Sequence, residues 1–170
     1  MPAEADLGVD LSSLDFSRPV ADIEAIRAVI PHRYEMELLS GIAYVDPARH
    51  LIVGYKDVRP DEFWVRGHMP RFPLMPGVLM CEAAAQLTCY YGLSQGIVDP
   101  ESLQGLGGIE NTRFHRPVRP GERLVLVGKG LRVHRRMTRF SVTGLVNGEK
   151  VFETEVIGVP VGKWEDMVRA

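Results

Sequence analysis

A single carboxylate stands in the most apolar stretch of this 170-residue chain. Residues 78–93 read VLMCEAAAQLTCYYGL, and the polar exceptions are Glu82, Gln86 and Thr88. Four residues apart, Glu82 and Gln86 share one stripe of a helix. Burying an ionisable carboxyl among apolar groups is costly, so desolvation should push the Glu82 pKa upward. A carboxylic acid of that kind can donate a proton near neutral pH. A buried structural Glu paired with an Arg from a neighbouring strand fits the helix composition equally well. The segment just before the helix favours chemistry. Residues 67–77 read GHMPRFPLMPG, which puts His68 in a loop stiffened by three prolines, where holding it in one place costs little entropy. Gly77 opens the helix, where free N–H groups and the positive end of the helix dipole can face an oxyanion. Imidazole titrates in the range suited to taking a proton. No HExxH or clustered His/Cys spacing is present, so neither a metal nor another cofactor is expected.

These residues need a scaffold, and the rest of the chain outlines one. The Ala, Leu and Met content of 78–93 favours helix, Gly92 and Gly96 are plausible stops, and apolar residues on nearly every side mark a buried element. Asp22 can cap a short helix over 23–29, with Ile23, Ile26 and Ile30 on one face and Pro31 as its stop. Strands are expected at 36–46, 50–58, 105–117, 122–134, 137–147 and 150–160, with turns at Asp46–Pro47, Gly121 and Asn147–Gly148. Residues 59–76 carry four prolines and should be irregular. The expected fold class is α+β: an antiparallel sheet of about six strands wrapped around one long buried helix. Residues 1–20 read as an extension ordered only if docked, and 21–170 as a single domain.

The bulk properties exclude several classes. No run of about 18 apolar residues exists to span a membrane, and the acidic start lacks the layout of a signal peptide, so a cytoplasmic protein is expected. Cys81 and Cys89 lie about 12 Å apart along one helix and should stay reduced. The net charge is only −2 but unevenly spread: residues 1–46 hold nine acids against three Lys or Arg, and residues 113–139 hold nine Lys or Arg against one acid. That basic segment can steer an acidic partner, or it can be a hairpin exposing its cationic side chains. Nucleic-acid binding is not expected, since no recognition helix or stacking motif accompanies the charge.

Residues 67–86, GHMPRFPLMPGVLMCEAAAQ, resemble the GHFPxxPxMPGVLxxEAxAQ pattern of the FabZ-type 3-hydroxyacyl-[acyl-carrier-protein] dehydratases of fatty acid synthesis. IPHRY at 30–34 and RFHRPVRPGERL at 113–124 resemble two further segments of that family, so the similarity spans about residues 23–160. The resemblance implies a hot-dog fold and dehydration of 3-hydroxyacyl thioesters to trans-2-enoyl thioesters on acyl carrier protein. By motif position it implies His68 and Glu82 as the catalytic pair, contributed by different subunits of a homodimer. A hexamer made as a trimer of dimers is the larger assembly it allows. Gly77, with Val78, would polarise the thioester carbonyl and Glu82 would protonate the departing hydroxyl. Met69, Phe72, Pro73, Met75 and Gln86 are candidates for the acyl tunnel, and Arg113, Arg116, Arg132, Arg135 and Arg136 for carrier-protein docking. Met69 and Arg71 depart from the usual Phe and Gly, Glu35 from Pro and Ser40 from Asp, which bears on the tunnel rather than the pair. A polyketide-type dehydratase, an acyl thioesterase and a non-catalytic acyl-binding subunit are the rival readings.

Overall fold

The computed structural model describes residues 7–169. Six strands form one antiparallel sheet: β1 (Gly41–Asp46), β2 (Leu51–Asp57), β3 (Ser102–Phe114), β4 (Arg123–His134), β5 (Met137–Val146) and β6 (Glu149–Lys163). Their order is β1-β2-β4-β5-β6-β3, which leaves β1 and β3 at the edges. A short helix α1 (Ile23–Arg27) precedes the sheet, the long helix α2 (Gly77–Ser94) crosses its concave face, and α3 (Trp164–Val168) ends the described chain. The expected α+β class, with a six-stranded sheet around one long helix, is the architecture found.

Local chemistry accounts for several boundaries. The Asp22 side chain accepts from the Ala25 amide at 2.9 Å and caps α1, with Ile26 and Ile30 buried beneath it. Asn147 and Gly148 both take positive φ, 52° and 79°, as a two-residue hairpin between β5 and β6 requires. Residues 36–40 lie outside any strand: Tyr34–Met36 forms a 3-10 turn, and β1 begins only at Gly41.

Helix α2 packs against β2, β3, β4, β5 and β6. Its Ala83, Ala84, Leu87 and Tyr91 are fully buried among Ile42, Ile52, Leu126, Phe140 and Phe152. Val78, Glu82, Ala85 and Cys89 are not fully covered. Their spacing of four, three and four residues makes them one stripe of the helix. The helix is therefore not buried on all faces within one chain, contrary to expectation. One sheet can wrap most of a helix but not its whole circumference.

Residues 1–6 of the expected N-terminal extension lie outside the described residues. The segment that follows is docked on the opposite, convex face of the sheet. Leu7, Val9, Leu11, Leu14 and Phe16 pack over Ala43, Leu51, Val53, Tyr55, Val127 and Leu145. The Phe16 ring meets Tyr55 edge-on at 5.5 Å, the Tyr55 hydroxyl donates to the Phe16 carbonyl at 3.1 Å, and Arg49 donates to the Gly8 carbonyl at 2.7 Å. This strap covers apolar surface that an antiparallel sheet with one solvated face would otherwise expose.

Deleting residues 1–17 should therefore lower thermal stability. The strap's five half-buried apolar side chains at about 1 kcal/mol each correspond to about 5 kcal/mol. At this chain length that is a fall of about 10–20 °C in Tm. Thermal unfolding followed by circular dichroism measures it, and an unchanged midpoint would show that the strap contributes nothing.

Candidate active site

The loop between β2 and α2 has no regular structure, yet it is tied down along its length. Lys56 of β2 forms a buried ion pair with Glu62 at 2.6 Å, Trp64 is buried, and the Met75 amide donates to the Val118 carbonyl at 2.7 Å. Within this loop His68 is half-buried. Its amide donates to the Trp64 carbonyl at 2.7 Å, and its ring Nδ1 lies 2.8 Å from the Leu74 carbonyl oxygen. A carbonyl can only accept, so Nδ1 carries the proton and the neutral ring presents a bare Nε2. Met69 then takes a left-handed backbone, φ 66°, turning the chain immediately after the histidine.

Leu74, which fixes the His68 ring, lies three residues before the start of α2. Pro76 caps that helix, and its carbonyl accepts from Leu79 and Met80. The amides of Gly77 and Val78 have no acceptor among the described residues, as expected for the first turn of a helix. They open onto a groove of about 500 Å³ whose lining includes Leu74, Val78, Phe114 and Arg116. A Cβ at position 77 would sit 2.9 Å from the Phe114 ring, so only glycine lets β3 close over the helix start.

Glu82 lies one and a half turns further on and lines a different cavity, of about 100 Å³, between α2 and strands β3, β5 and β6. His32, Gln86, Cys89, Leu106 and Thr138 are among its other walls. Glu82 Oε1 accepts from Gln86 Nε2 at 2.9 Å, and His32 Nε2 lies 3.4 Å from the same oxygen. Gln86 is almost fully buried and bridges three elements. Its Nε2 also donates to the Met36 carbonyl at 2.8 Å, and its Oε1 accepts from the Leu38 amide at 3.1 Å. These contacts reverse the expected direction of the Glu82 pKa. The hydrogen bond from His32, aided by Gln86, holds the carboxyl below its ordinary value despite burial. The neighbouring Cys89 thiol is pushed up to about 11, mainly by burial and further by the Glu82 charge.

His68 and Glu82 share no hydrogen bond within the chain, and His68 does not line the Glu82 cavity. Of the five tunnel candidates, only Gln86 lines it. Met75 is in the hydrophobic core, Met69 and Phe72 are exposed, with Arg119 stacked 4.1 Å from the Phe72 ring, and Pro73 is half-buried. The reason is geometric: the loop lies at the N-terminal end of α2, and the cavity runs along the middle of the helix. His32, Cys89, Leu106 and Thr138 went unrecognised from sequence. The IPHRY segment was the one available signal for His32.

The five candidate arginines do not form one patch. Arg116 is engaged by Glu122 at 3.1 Å and Glu149 at 3.3 Å. Arg132, Arg135 and Arg136 are exposed at the β4–β5 hairpin, with no acidic partner among the described residues. Arg113 is exposed near the other end of β3. Register through β6 aligns Leu106 with Gly158 and Thr138, but Arg113 with Glu153, which places Arg113 about 20 Å from the hairpin at strand rise.

A FabA-like domain model matches residues 30–155. The chain is 38% identical over 136 residues to the 3-hydroxyacyl-[acyl-carrier-protein] dehydratase FabZ of Geobacillus thermodenitrificans (strain NG80-2), covering 80% of this chain and 92% of that protein. It is 36% identical over 138 residues to the enzyme of the same name from Acinetobacter baylyi (strain ATCC 33305 / BD413 / ADP1), covering 80% and 92%. Among solved structures, the dehydratase heterocomplex ApeI:P from Xenorhabdus doucetiae superposes with a TM-score of 0.70 at 15% identity, covering 89% of this chain and 97% of that one. The E. coli PaaI protein superposes at 0.54 and 15% identity, over 69% and 80%. At such identities these two likenesses concern the fold.

The lowered Glu82 pKa has a consequence for stability. A carboxyl whose folded-state pKa lies below its unfolded value contributes stability above the ordinary range and loses it as pH falls through the folded value. Native protein should therefore melt above the Glu82→Gln variant at neutral pH, with the gap closing below about pH 4. Paired thermal melts across pH test this. A gap that widens on acidification would mean that burial, not hydrogen bonding, controls the group.

Proposed function

The chain belongs to the FabZ family of 3-hydroxyacyl-[acyl-carrier-protein] dehydratases, and we infer that its own reaction is the loss of water from such thioesters in fatty acid biosynthesis. The observation that carries the mechanism is the fixed tautomer of His68, whose Nδ1 is tied to the Leu74 carbonyl and whose Nε2 is left free as a base. Leu74 lies three residues before a helix start whose Gly77 and Val78 amides have no acceptor among the described residues. The His68 Nε2 takes a proton from Cα of the substrate. The C–H electron pair becomes the new C2=C3 bond, and the bond from C3 to the hydroxyl breaks. During this step negative charge builds on the thioester oxygen, where the Gly77 and Val78 amides and the N-terminal end of α2 stabilise it.

The leaving hydroxyl needs a proton to depart as water. Sequence reasoning gave that task to Glu82 as an acid with a raised pKa. With its pKa lowered, Glu82 is ionised at neutral pH and suited to accepting the hydrogen bond of the 3-hydroxyl. The proton that completes the water is then the one that His68 has just taken, so the ring returns to its starting state after each turnover.

A homodimer with shared sites supports this chemistry, because one chain keeps His68 and Glu82 in separate places. Two features favour it. Edge strand β3 runs for 13 residues and exposes Leu106, Ile109 and Phe114, and the uncovered stripe of α2 lies alongside the same cavity. Pairing of two β3 edges would continue the sheet and bring the partner's loop toward Glu82. For the carrier protein, the β4–β5 hairpin is the favoured docking element. Its arginines are unpaired among the described residues, and Arg136 lies two positions before Thr138 of the cavity wall.

Mixed with a crotonyl or longer 2-enoyl thioester, the protein should remove enoyl absorbance as water adds. His68→Ala and Glu82→Gln should each lower turnover by at least about 100-fold without unfolding. Combining these two inactive variants and allowing subunit exchange should restore part of the activity, since each heterodimer holds one intact site. Exchange confirmed by mass with no recovery would end the shared-site model.

Charge reversal at Arg135 and Arg136 should raise KM for carrier-bound substrate and leave small-thiol thioesters nearly unaffected. Added salt should reproduce that selectivity. Equal effects on both substrates would assign these arginines a structural role.

A further inference from the structure

Both polar neighbours of Glu82, the hydrogen-bonding Gln86 and the ion-pair neighbour His32, meet the same oxygen, and this asymmetry is informative. Gln86 Nε2 and His32 Nε2 approach Oε1, at 2.9 and 3.4 Å, and Oε2 has no partner among the described residues. We propose that His32 is a positioning residue of the dehydration, its Nε2–H holding one oxygen of the Glu82 carboxylate so that the other is free for the substrate's 3-hydroxyl. This rests on the catalytic reading of Glu82 given above.

The placement of His32 is built, not incidental. It follows Ile30 and Pro31 at the end of α1, where Pro31 restricts the backbone. The Arg33 guanidinium then clamps the segment, donating to the carbonyls of Ile30 at 2.8 Å, His32 at 2.7 Å and Arg27 at 2.8 Å. Arg27 in turn is held by Glu37 at 2.7 Å and 2.8 Å and by Glu24. The backbone that carries His32 is therefore held in place. The His32 Nδ1 is buried without a hydrogen-bond partner among the described residues, so a proton there would be unpaired. The favoured neutral tautomer keeps the proton on Nε2, pointing it at Glu82. His68 is set the opposite way, with Nδ1 as the donor and Nε2 bare.

Among the described residues, no competing charge lines the cavity. Besides His32 and Glu82, the one titratable side chain of its lining is Cys89, on the same helix as Glu82 and kept as a neutral thiol by burial. The residues that face Glu82 from the sheet, including Gln104, Leu106 and Thr138, carry no charge. Gln86, held by Met36 and Leu38, gives its remaining N–H to the same oxygen, so it and His32 hold Oε1 from two directions. His32 is free of other side-chain duties and can respond to the carboxylate alone.

The test compares His32→Leu, which removes the donor, with His32→Gln, which keeps an N–H at similar reach. In His32→Leu, kcat should fall about 10- to 100-fold with KM within about twofold, the scale for a misplaced catalytic group. His32→Gln should recover most of that loss. In the free protein, ¹³C NMR of the Glu82 carboxyl should show its titration midpoint rising in His32→Leu and returning in His32→Gln, a readout that general loosening of the fold would not reproduce. Turnover of His32→Leu within about twofold of native, with Glu82→Gln inactive, would overturn this proposal and leave the catalytic reading standing. Equal kcat losses in both His32 variants with an unmoved Glu82 midpoint would also overturn it. If Glu82→Gln itself turned over normally, the catalytic reading would fall first and this one with it.

Discussion

A carboxylate on a helix packed into a sheet must be given donors, and the buried Gln86 bridge beside it answers that requirement. Helix α2 packs against five strands, and Glu82 stands on the one stripe that they leave partly open. Gln86 resolves the problem by facing Glu82 one turn away and reaching the backbone of residues 36–38 with its remaining groups. Replacing it with an apolar residue would strand the Leu38 amide, at a cost of about 1–3 kcal/mol, in addition to releasing Glu82. The same bridge keeps the segment before β1 out of the sheet, since residues 36–38 hydrogen-bond to a side chain instead of a neighbouring strand.

Two histidines are set to opposite purposes by what their rings meet. At His68 a carbonyl in the same loop takes the Nδ1 proton, leaving a base at the other nitrogen. At His32 the carboxylate meets Nε2 and Nδ1 is left bare, so the ring serves as a donor. The difference lies in surroundings alone, because the two imidazoles are chemically identical. Each loop is fixed by other means: His68 by prolines, a buried Lys56–Glu62 pair and the buried Trp64, His32 by Pro31 and the Arg33 clamp.

The sheet handles its two faces differently. Its concave side is filled by α2, and its convex side is covered by the strap at residues 7–16, which a domain of this size needs if apolar residues such as Val53 and Val127 are not to face water. Among the described residues, none gives the β3 edge such cover. Its exposed Leu106 and Ile109, next to the open stripe of α2, are the surface a second chain would use.

Sequence by itself determined the elements whose signals are local. The Asp22 cap, the Asn147–Gly148 hairpin and the long apolar helix are each specified by residues within a few positions of one another, and local spacing decides backbone geometry. The catalytic candidates were legible for the same reason, since His68, Gly77 and Glu82 fall within 15 residues. Tertiary structure decided what long-range contacts control. The direction of the Glu82 pKa turned on His32, 50 positions upstream, because a donor at hydrogen-bond distance outweighs the general cost of burial. The basic segment read as continuous along the chain, yet the register of β3, β6 and β5 sent Arg113 and the β4–β5 hairpin arginines to different ends of the sheet. Charge and desolvation depend on distances through space, and spacing along a chain reveals those only within a single helix, strand or turn.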